Sequence, residues 1–400
     1  MAAAVLHAMP GDLSETVRGE FPPVATRPRG RAREARRLRR LRYWLRTVAQ
    51  DLSSAKGIVR CGRRRTFAPG GQGTVEIRLN SETGAAYFAG LLRCGSVWEC
   101  PVCMHRIQYE RAKELRAVLA ANRDRQGAAY MLTLTLPHDQ GDDHRAMRRH
   151  VARAWRYVQT GAPWRRLTRR LALVGSCRAL ETTHGPHGWH PHLHVLLVLR
   201  AGLDAEVQRE LLALVRRRWT DAITRPNPDG GKQYRPPSLE HGVTLTVSHE
   251  DDYLAKLGLA DELAGAAVKR AAADHRTPLE ILVGAARRDP RDRALWVEYA
   301  RDMRGARKLT WGGSLGTPAG RAAWGLAPDQ PDLALAGAEE RGPALVVAEL
   351  EGKVWDTLVL GDVRLQLRLL RCAEDLPPPE ARDRIARALL WAAGEELPPF

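Results

Sequence analysis

Residues 181–199 read ETTHGPHGWHPHLHVLLVL. His190, His192 and His194 alternate with Pro191, Leu193 and Val195 and run straight into an apolar stretch. Successive side chains of a strand point to opposite faces, so this spacing puts three imidazoles on one surface and the intervening residues on the other. The segment reads as a buried strand entered through a tight turn at HGPHGW. A row of histidines has no packing reason to sit in a sheet, and imidazole is the commonest side-chain metal ligand, so the strand reads as the floor of a metal site. The competing reading is histidines satisfied by backbone or carboxylate partners at a strand end.

Working outward, residues 129–136 (AYMLTLTL) alternate Leu132, Leu134 and Leu136 with Thr133 and Thr135, the pattern of a half-buried strand. A helix is expected before it at 108–125. An amphipathic helix follows at 143–159, carrying Met147, Val151, Trp155 and Val158, and then a strand at 171–183. Beyond the histidine strand come a helix at 205–224, a proline and glycine loop, a short strand at 243–247 and a helical stretch from about residue 250. The order strand, helix, strand, strand, helix, strand predicts an α+β fold, a ferredoxin-like or split βαβ plan with a mainly antiparallel sheet and the histidine strand central. Residues 261–304 read as helices covering this core. Residues 343–372 alternate enough to predict a few strands before a last helix.

At 400 residues the chain is long enough for a substantial core. Lysine and arginine total 63 against 46 acidic residues, a net charge of +17, which is the balance of a protein that meets a polyanion, nucleic acid by default. Only seven of the 63 basic residues are lysine; arginine is the better bidentate phosphate ligand, although GC-rich coding DNA produces the same bias. Residues 27–46 hold ten arginines interleaved with Leu38, Leu41, Trp44 and Leu45, and read as a basic helix or arm that contacts DNA. Six cysteines are too few for a disulfide scaffold and the N-terminus lacks a secretory pattern, so a cytoplasmic location is expected. No stretch reaches the roughly 18 apolar residues of a membrane span.

Three of the cysteines gather in RCGSVWECPVCMHRI as Cys94, Cys100 and Cys103, with Cys61 upstream in RCGRRR. Four thiolates complete the closed tetrahedral shell of structural zinc, with His105 as a substitute ligand, and the segment reads as a small zinc knuckle. Farther on, SHEDDYLAKLG sets Tyr253 and Lys256 three residues apart, on one face if helical. A tyrosine hydroxyl attacks poorly at neutral pH unless a nearby cation favours the phenolate, a task for Lys256 and a metal. Taken alone, the pair reads as a core tyrosine beside an exposed lysine.

Four features occur in order: CPVC with Trp98 before Cys100 and Cys103, the TLT strand at 132–136, GWHPHLHVLL, and YLAK. Together they resemble the rolling-circle replication initiators of bacterial plasmids, members of the HUH endonuclease superfamily with relaxases and some transposases. The resemblance spans roughly residues 61–313, with a weaker similarity at GARKLTWGGSLG, residues 305–316. It implies that His192 and His194 bind a divalent cation and that Tyr253 attacks a DNA phosphodiester, leaving a 5′-phosphotyrosyl link and a 3′ hydroxyl that primes replication. Glu181 is the favoured third ligand and His190 the alternative. Two imidazoles and a carboxylate suit manganese or magnesium, whereas three imidazoles suit zinc better. Lys256 would stabilise the phenolate. Glu250, ahead of Asp251 and Asp252, would activate water for a second cut.

The implied partners are plasmid-origin DNA, single-stranded or supercoiled, and the host helicase and DNA polymerase. The implied organisation is a basic arm at 1–60, a cysteine-rich knuckle at 61–107, the endonuclease domain with a helical extension at 108–318, and a C-terminal extension at 319–400. A transposase or relaxase shares this chemistry, while a noncatalytic zinc-containing DNA-binding regulator would explain the charge and the cysteines but leave Tyr253 idle.

Overall fold

The computed structural model describes residues 29–66, 73–81, 84–229, 231–247, 275–338 and 343–394. In chain order its principal elements are α1 (Arg29–Leu52), β1 (Val75–Asn80), β2 (Ala86–Ala89), α2 (Pro101–Asp124), β3 (Ala128–Leu134), α3 (His144–Val158), α4 (Gly161–Arg170), β4 (Leu173–Gly185), β5 (Gly188–Leu199), α5 (Ala205–Ile223), β6 (Val243–Thr246), α6 (Pro278–Ala286), α7 (Pro290–Met303), β7 (Leu309–Gly313), β8 (Ala344–Leu350), α8 (Val363–Asp375) and α9 (Pro378–Ala392). They cluster into two units. One takes its described residues from Met1–Ser96, Cys100–Arg106 and Leu333–Phe400, the other from Val97–Glu99 and Ile107–Asp332.

The alternating histidine segment forms β5, and it is the middle strand of a five-stranded sheet in the second unit, ordered β6-β3-β5-β4-β7. Every pairing in this sheet is antiparallel. The chain passes from β3 through α3 and α4 to β4 with β5 lying between them, and from β5 through α5 to β6 with β3 between, so the two crossovers interlock as split βαβ units. β4 and β5 are joined by the two residues Pro186 and His187, since Gly185 pairs with Gly188. Gly188 holds φ at 85°, a left-handed conformation that glycine adopts without a Cβ clash.

The strands are buried on both faces. Met131, Cys177, Ala179, Leu196 and Val198 pack under Ala112, Leu115, Val118 and Leu119 of α2, joined by Trp311 and Leu315. On the opposite face His144 of α3 stacks on Trp189 with ring centroids 4.9 Å apart. Its Nε2 hydrogen-bonds the Thr182 hydroxyl at 3.2 Å. α3 starts where Asp143 accepts the Ala146 N–H at 2.6 Å, an N-cap immediately before its apolar stripe.

The strands and helices expected between residues 129 and 247 are all present. Four features differ from the sequence reading. α2 begins at Pro101, earlier than residue 108, because proline suits a first helical turn. α4 and β7 were not expected; β7 completes the sheet by pairing with β4 from Cys177↔Trp311 to Ala179↔Leu309. The stretch between Cys61 and Cys103, read only as a cysteine knuckle, also holds strands: β1 buries Val75 and Ile77 and pairs antiparallel with both β2 and β8. Finally, residues 343–372 supply one strand and then helices. The local alternation of RLQLRL is overridden by Leu365, Leu369, Leu370 and Ala373, whose spacing makes one buried helical stripe, and by Asp362, which caps the Arg364 and Leu365 N–H groups.

The first unit also revises the organisation expected from sequence. The N-terminal helix, the cysteine segment and the C-terminal segment were read as three separate parts, and their described residues form one cluster. α1 is not a free arm. It buries Leu38, Tyr43, Leu45 and Ala49 at helical spacing, and Arg39 forms a bidentate pair with Glu374 of α8, Nη2 to Oε2 at 2.8 Å. Arg36 pairs with Asp375, and the buried Arg46 donates to Gln366 Oε1 at 3.1 Å. Helices expected over 261–304 are seen as α6 and α7, while residues 261–274 lie outside the described residues. Among the described residues no helix is long and apolar enough to cross a membrane.

Candidate metal centres

Register on β4 and β5 sets Glu181 directly opposite His192, and β3 sets Thr133 directly opposite His194. A carboxylate oxygen, Glu181 Oε2, then stands 3.3 Å from His192 Nε2 and 3.4 Å from His194 Nε2. Donors held about 2.1 Å from one ion stand about 3.0–3.4 Å apart at cis-octahedral or tetrahedral angles, so the observed separations suit a shared cation. The site is partly open, with side-chain exposures of 13% for His192, 11% for His194 and 23% for Glu181. Burial alone would raise the Glu181 carboxyl, but hydrogen bonds and charge from His192 and His194 outweigh it and hold the group well below the usual carboxylate range.

Each imidazole is also fixed from behind. His194 Nδ1 lies 3.0 Å from the Thr133 hydroxyl, and His192 Nδ1 lies 3.2 Å from the His190 carbonyl oxygen. A proton on Nδ1, donated to those oxygens, leaves both Nε2 lone pairs aimed at the point marked by Glu181. Two imidazoles and one carboxylate thus fit a divalent cation and leave coordination positions for oxygen ligands.

His190 shares this strand face but does not join the group. Its Nδ1 is 2.9 Å from His138 Nε2, and His138 Nδ1 in turn is 3.0 Å from the His187 carbonyl. Burial, with the neighbouring His192, His138 and His275, pushes the His190 imidazole down to about 3, so it is neutral at physiological pH. Three imidazoles therefore do not converge as the alternation alone predicts; Glu181 takes the third place. Thr133 and His138 were not singled out from sequence as site residues. The phase of the TLT strand carries a signal for Thr133, while His138, in a loop beyond β3, follows no period.

In the first unit, Cys61, Cys94, Cys100 and Cys103 bring their sulfurs within 4.8 Å of one another. Sγ separations are 3.5 Å for Cys61–Cys103, 3.6 Å for Cys94–Cys103 and 3.8 Å for Cys61–Cys100. Thiolates about 2.3 Å from a tetrahedral zinc stand about 3.8 Å apart, whereas a disulfide needs about 2.05 Å, so the cluster fits a metal and excludes bonded pairs. Backbone pairing builds it. The Gly62 N–H donates to Leu92 O at 2.7 Å and the Leu92 N–H to Arg64 O at 2.8 Å, which brings Cys61 beside Cys94. Gln50 of α1 holds the Cys61 carbonyl at 2.8 Å. Mutual hydrogen bonds draw the Cys103 thiol well below its ordinary range and push Cys100 well above it, so the four sulfurs share their protons unevenly. His105 is not among these ligands; its Nδ1 lies 3.3 Å from Arg42 Nη1.

Tyr253, Lys256 and Glu250, with Asp251 and Asp252, lie outside the described residues.

An antiparallel α+β sheet with a carboxylate and two imidazoles at its centre, in a chain that also gathers four thiols, defines a protein with two candidate metal centres. Residues 93–221 match the family model of a replication protein. It is similar to the protein "Protein rep" of Streptomyces lividans, 27% identical over 302 residues that cover 59% of this chain and 65% of that protein. It is also similar to a "Neomycin resistance protein" of Streptomyces cyanogenus, 30% identical over 148 residues, 31% of this chain and 34% of that one. The chain therefore spans less than two thirds of the length of either relative. No solved structure matches.

Proposed function

We propose that this chain initiates rolling-circle replication of a plasmid by nicking one DNA strand at the origin, and that its core is an HUH endonuclease. The observation that carries this reading is the convergence of Glu181, His192 and His194 on central strands that lie within the matched replication-protein segment. The name of the Streptomyces lividans relative favours replication over transposition or conjugal transfer.

In this reading Glu181, His192 and His194 hold a divalent cation. When bound, the cation supplies positive charge toward the nonbridging oxygens of the scissile phosphate. Tyr253 attacks the phosphorus. The new bond joins its oxygen to phosphorus, the bond from phosphorus to the 3′ oxygen breaks, and the proton lost by the phenol is balanced by the one gained by the departing 3′ hydroxyl. The phosphodiester is conserved as a 5′-phosphotyrosyl link, so the cut is reversible and the 3′ end is free to prime a host polymerase. Lys256 stabilises the phenolate as a point charge. Glu250 activates water for the cut that ends a round. The four cysteines hold structural zinc.

The test is incubation of the protein with manganese and a 5′-labelled or 3′-labelled single strand carrying the origin. The expected result is a denaturation-resistant adduct on the strand 3′ of the cut, absent from Tyr253→Phe and mapped by peptide sequencing to Tyr253. An adduct that persists undiminished in Tyr253→Phe sinks the reading.

A further inference from the structure

α3 and α5 lie on the sheet face opposite Glu181. His144 of α3 reaches Trp189 and Thr182, residues that alternate with the site residues and point away from them, and His150 of α3 lies 2.9 Å from the Ile223 carbonyl of α5. α4 packs on the same layer through Trp164, edge-on to Trp155 at 5.8 Å. Between α4 and α5 runs a groove of about 550 Å³.

The sequence of α4, GAPWRRLTRR, explains the character of this groove. Trp164 and Leu167 are buried, while Arg165, Arg166, Arg169 and Arg170 are all exposed and the helix has no acidic residue. Arg166 and Arg170 face Arg217 of α5 across the groove, with Pro163 and Leu167 among its apolar residues and Glu210 its single carboxylate. Glu210 is taken by Arg170 at 2.5 Å. That pair is about half exposed, 49% and 43%, so it is weak and easily exchanged for a phosphate. Arg166 and Arg217 have no ion pair or hydrogen bond among the described residues. Two uncompensated guanidinium groups facing one another repel unless an anion lies between them.

No aromatic residue lines the groove, so nothing there stacks on an unpaired base. Planar guanidinium forks over an aliphatic floor instead match the phosphates of a duplex backbone.

We infer that the α4–α5 groove is a second DNA-binding surface, one that grips duplex DNA through its phosphates, without reading sequence, on the side of the sheet away from the cleavage site. This rests on the proposed reading of DNA as the partner. It adds a separate place of contact: the strand to be cut meets one face and a duplex arm meets the other.

The test uses the full chain carrying Tyr253→Phe, so that binding is read without chemistry, and a fluorescent duplex lacking the origin. Each phosphate contact contributes about 0.9 to the slope of log affinity against log salt, so Arg166→Ala with Arg217→Ala should flatten the slope by about 1.8. Glu210→Gln removes the carboxylate that lines the groove, leaving Arg170 only its longer pair with Glu206 at 3.7 Å, and should tighten binding, an outcome that damage to the fold cannot produce. In the chain that retains Tyr253, Arg166→Ala with Arg217→Ala should leave cutting of a short origin single strand at its original rate. An unchanged salt slope in the double variant overturns the inference, as does failure of Glu210→Gln to tighten binding; an unchanged slope is also what results if the groove serves an acidic protein. Persistence of the covalent adduct in Tyr253→Phe would instead sink the nicking mechanism, and the duplex measurement decides the groove either way.

Discussion

Thr133→Val gives the sharpest test of how the sheet prepares the metal site. Valine keeps the β-branched shape that suits a strand, so β3 and its pairing with β5 should persist. Only the hydroxyl 3.0 Å from His194 Nδ1 is lost. Metal binding at Nε2 needs the imidazole proton on Nδ1, and Thr133→Val removes the acceptor 3.0 Å from that nitrogen in a residue only 11% exposed at its side chain. The competing tautomer, with its proton on Nε2 facing Glu181, then gains by the cost of removing one partner of a hydrogen bond to a largely buried group, about 1–3 kcal/mol. That cost must be met on metal binding, which predicts a loss of manganese affinity of roughly 10- to 100-fold. Isothermal titration with manganese measures it directly, with circular dichroism as the check on folding and Thr133→Ser as the variant that restores affinity. If Thr133→Val binds manganese as tightly as the unaltered chain, orientation of His194 from behind contributes nothing and the argument fails.

Three further outcomes are expected. Cys100→Ser should drop the zinc content of purified protein, read by atomic emission, and expose the segment around Cys94 to limited proteolysis, because a structural site is held together by all its thiolates. Glu374→Ala leaves the nearly buried Arg39, 14% exposed, without its bidentate partner. The first unit should then lose about 3–5 kcal/mol, visible as a lower denaturant midpoint in α1 and α8 by hydrogen exchange. Burial, opposed only in part by Asp302, pushes His144 down to about 4. Because the unfolded chain takes up that proton near its ordinary value of about 6.5, stability from this residue is complete above that pH and drains away as pH falls toward about 4, a loss of about 3 kcal/mol. His144→Phe should lose correspondingly less stability on acidification in denaturant titrations; an equal loss would show that the acid sensitivity lies elsewhere.

What could be read from the sequence was whatever local period and register dictate. β5 and its place at the centre follow from the alternation of His190, His192 and His194 before an uninterrupted apolar run, and α3 follows from the spacing of Met147, Val151, Trp155 and Val158. Glu181 entered through the family resemblance and not through any local period, and the tight hairpin that stands it opposite His192 became visible only in the fold. The side-chain choice of His190 was not legible, since its partner His138 comes from a loop whose path no period encodes. β1 escaped notice for a related reason, although a strand was expected where β8 lies. They are separated by more than 250 residues and each is short, so the pairing that stabilises them is a long-range fact. The arginines of α1 looked like a surface for DNA, and several are instead absorbed by Glu374, Asp375 and Gln366, carboxylates and an amide that only the folded chain brings near.

The pairing of β1 with β8 also bears on biosynthesis. The five-stranded sheet is drawn from one continuous run of chain, Ile107–Asp332, whereas the thiol-bearing unit needs both α1 and the strand and helices after Leu333. Domains tend to fold as units while the ribosome is still elongating. The emerging polypeptide therefore has its imidazole-bearing sheet complete before the flanking unit can close, and a transcript broken between the two would release a sheet with no finished cysteine partner unit.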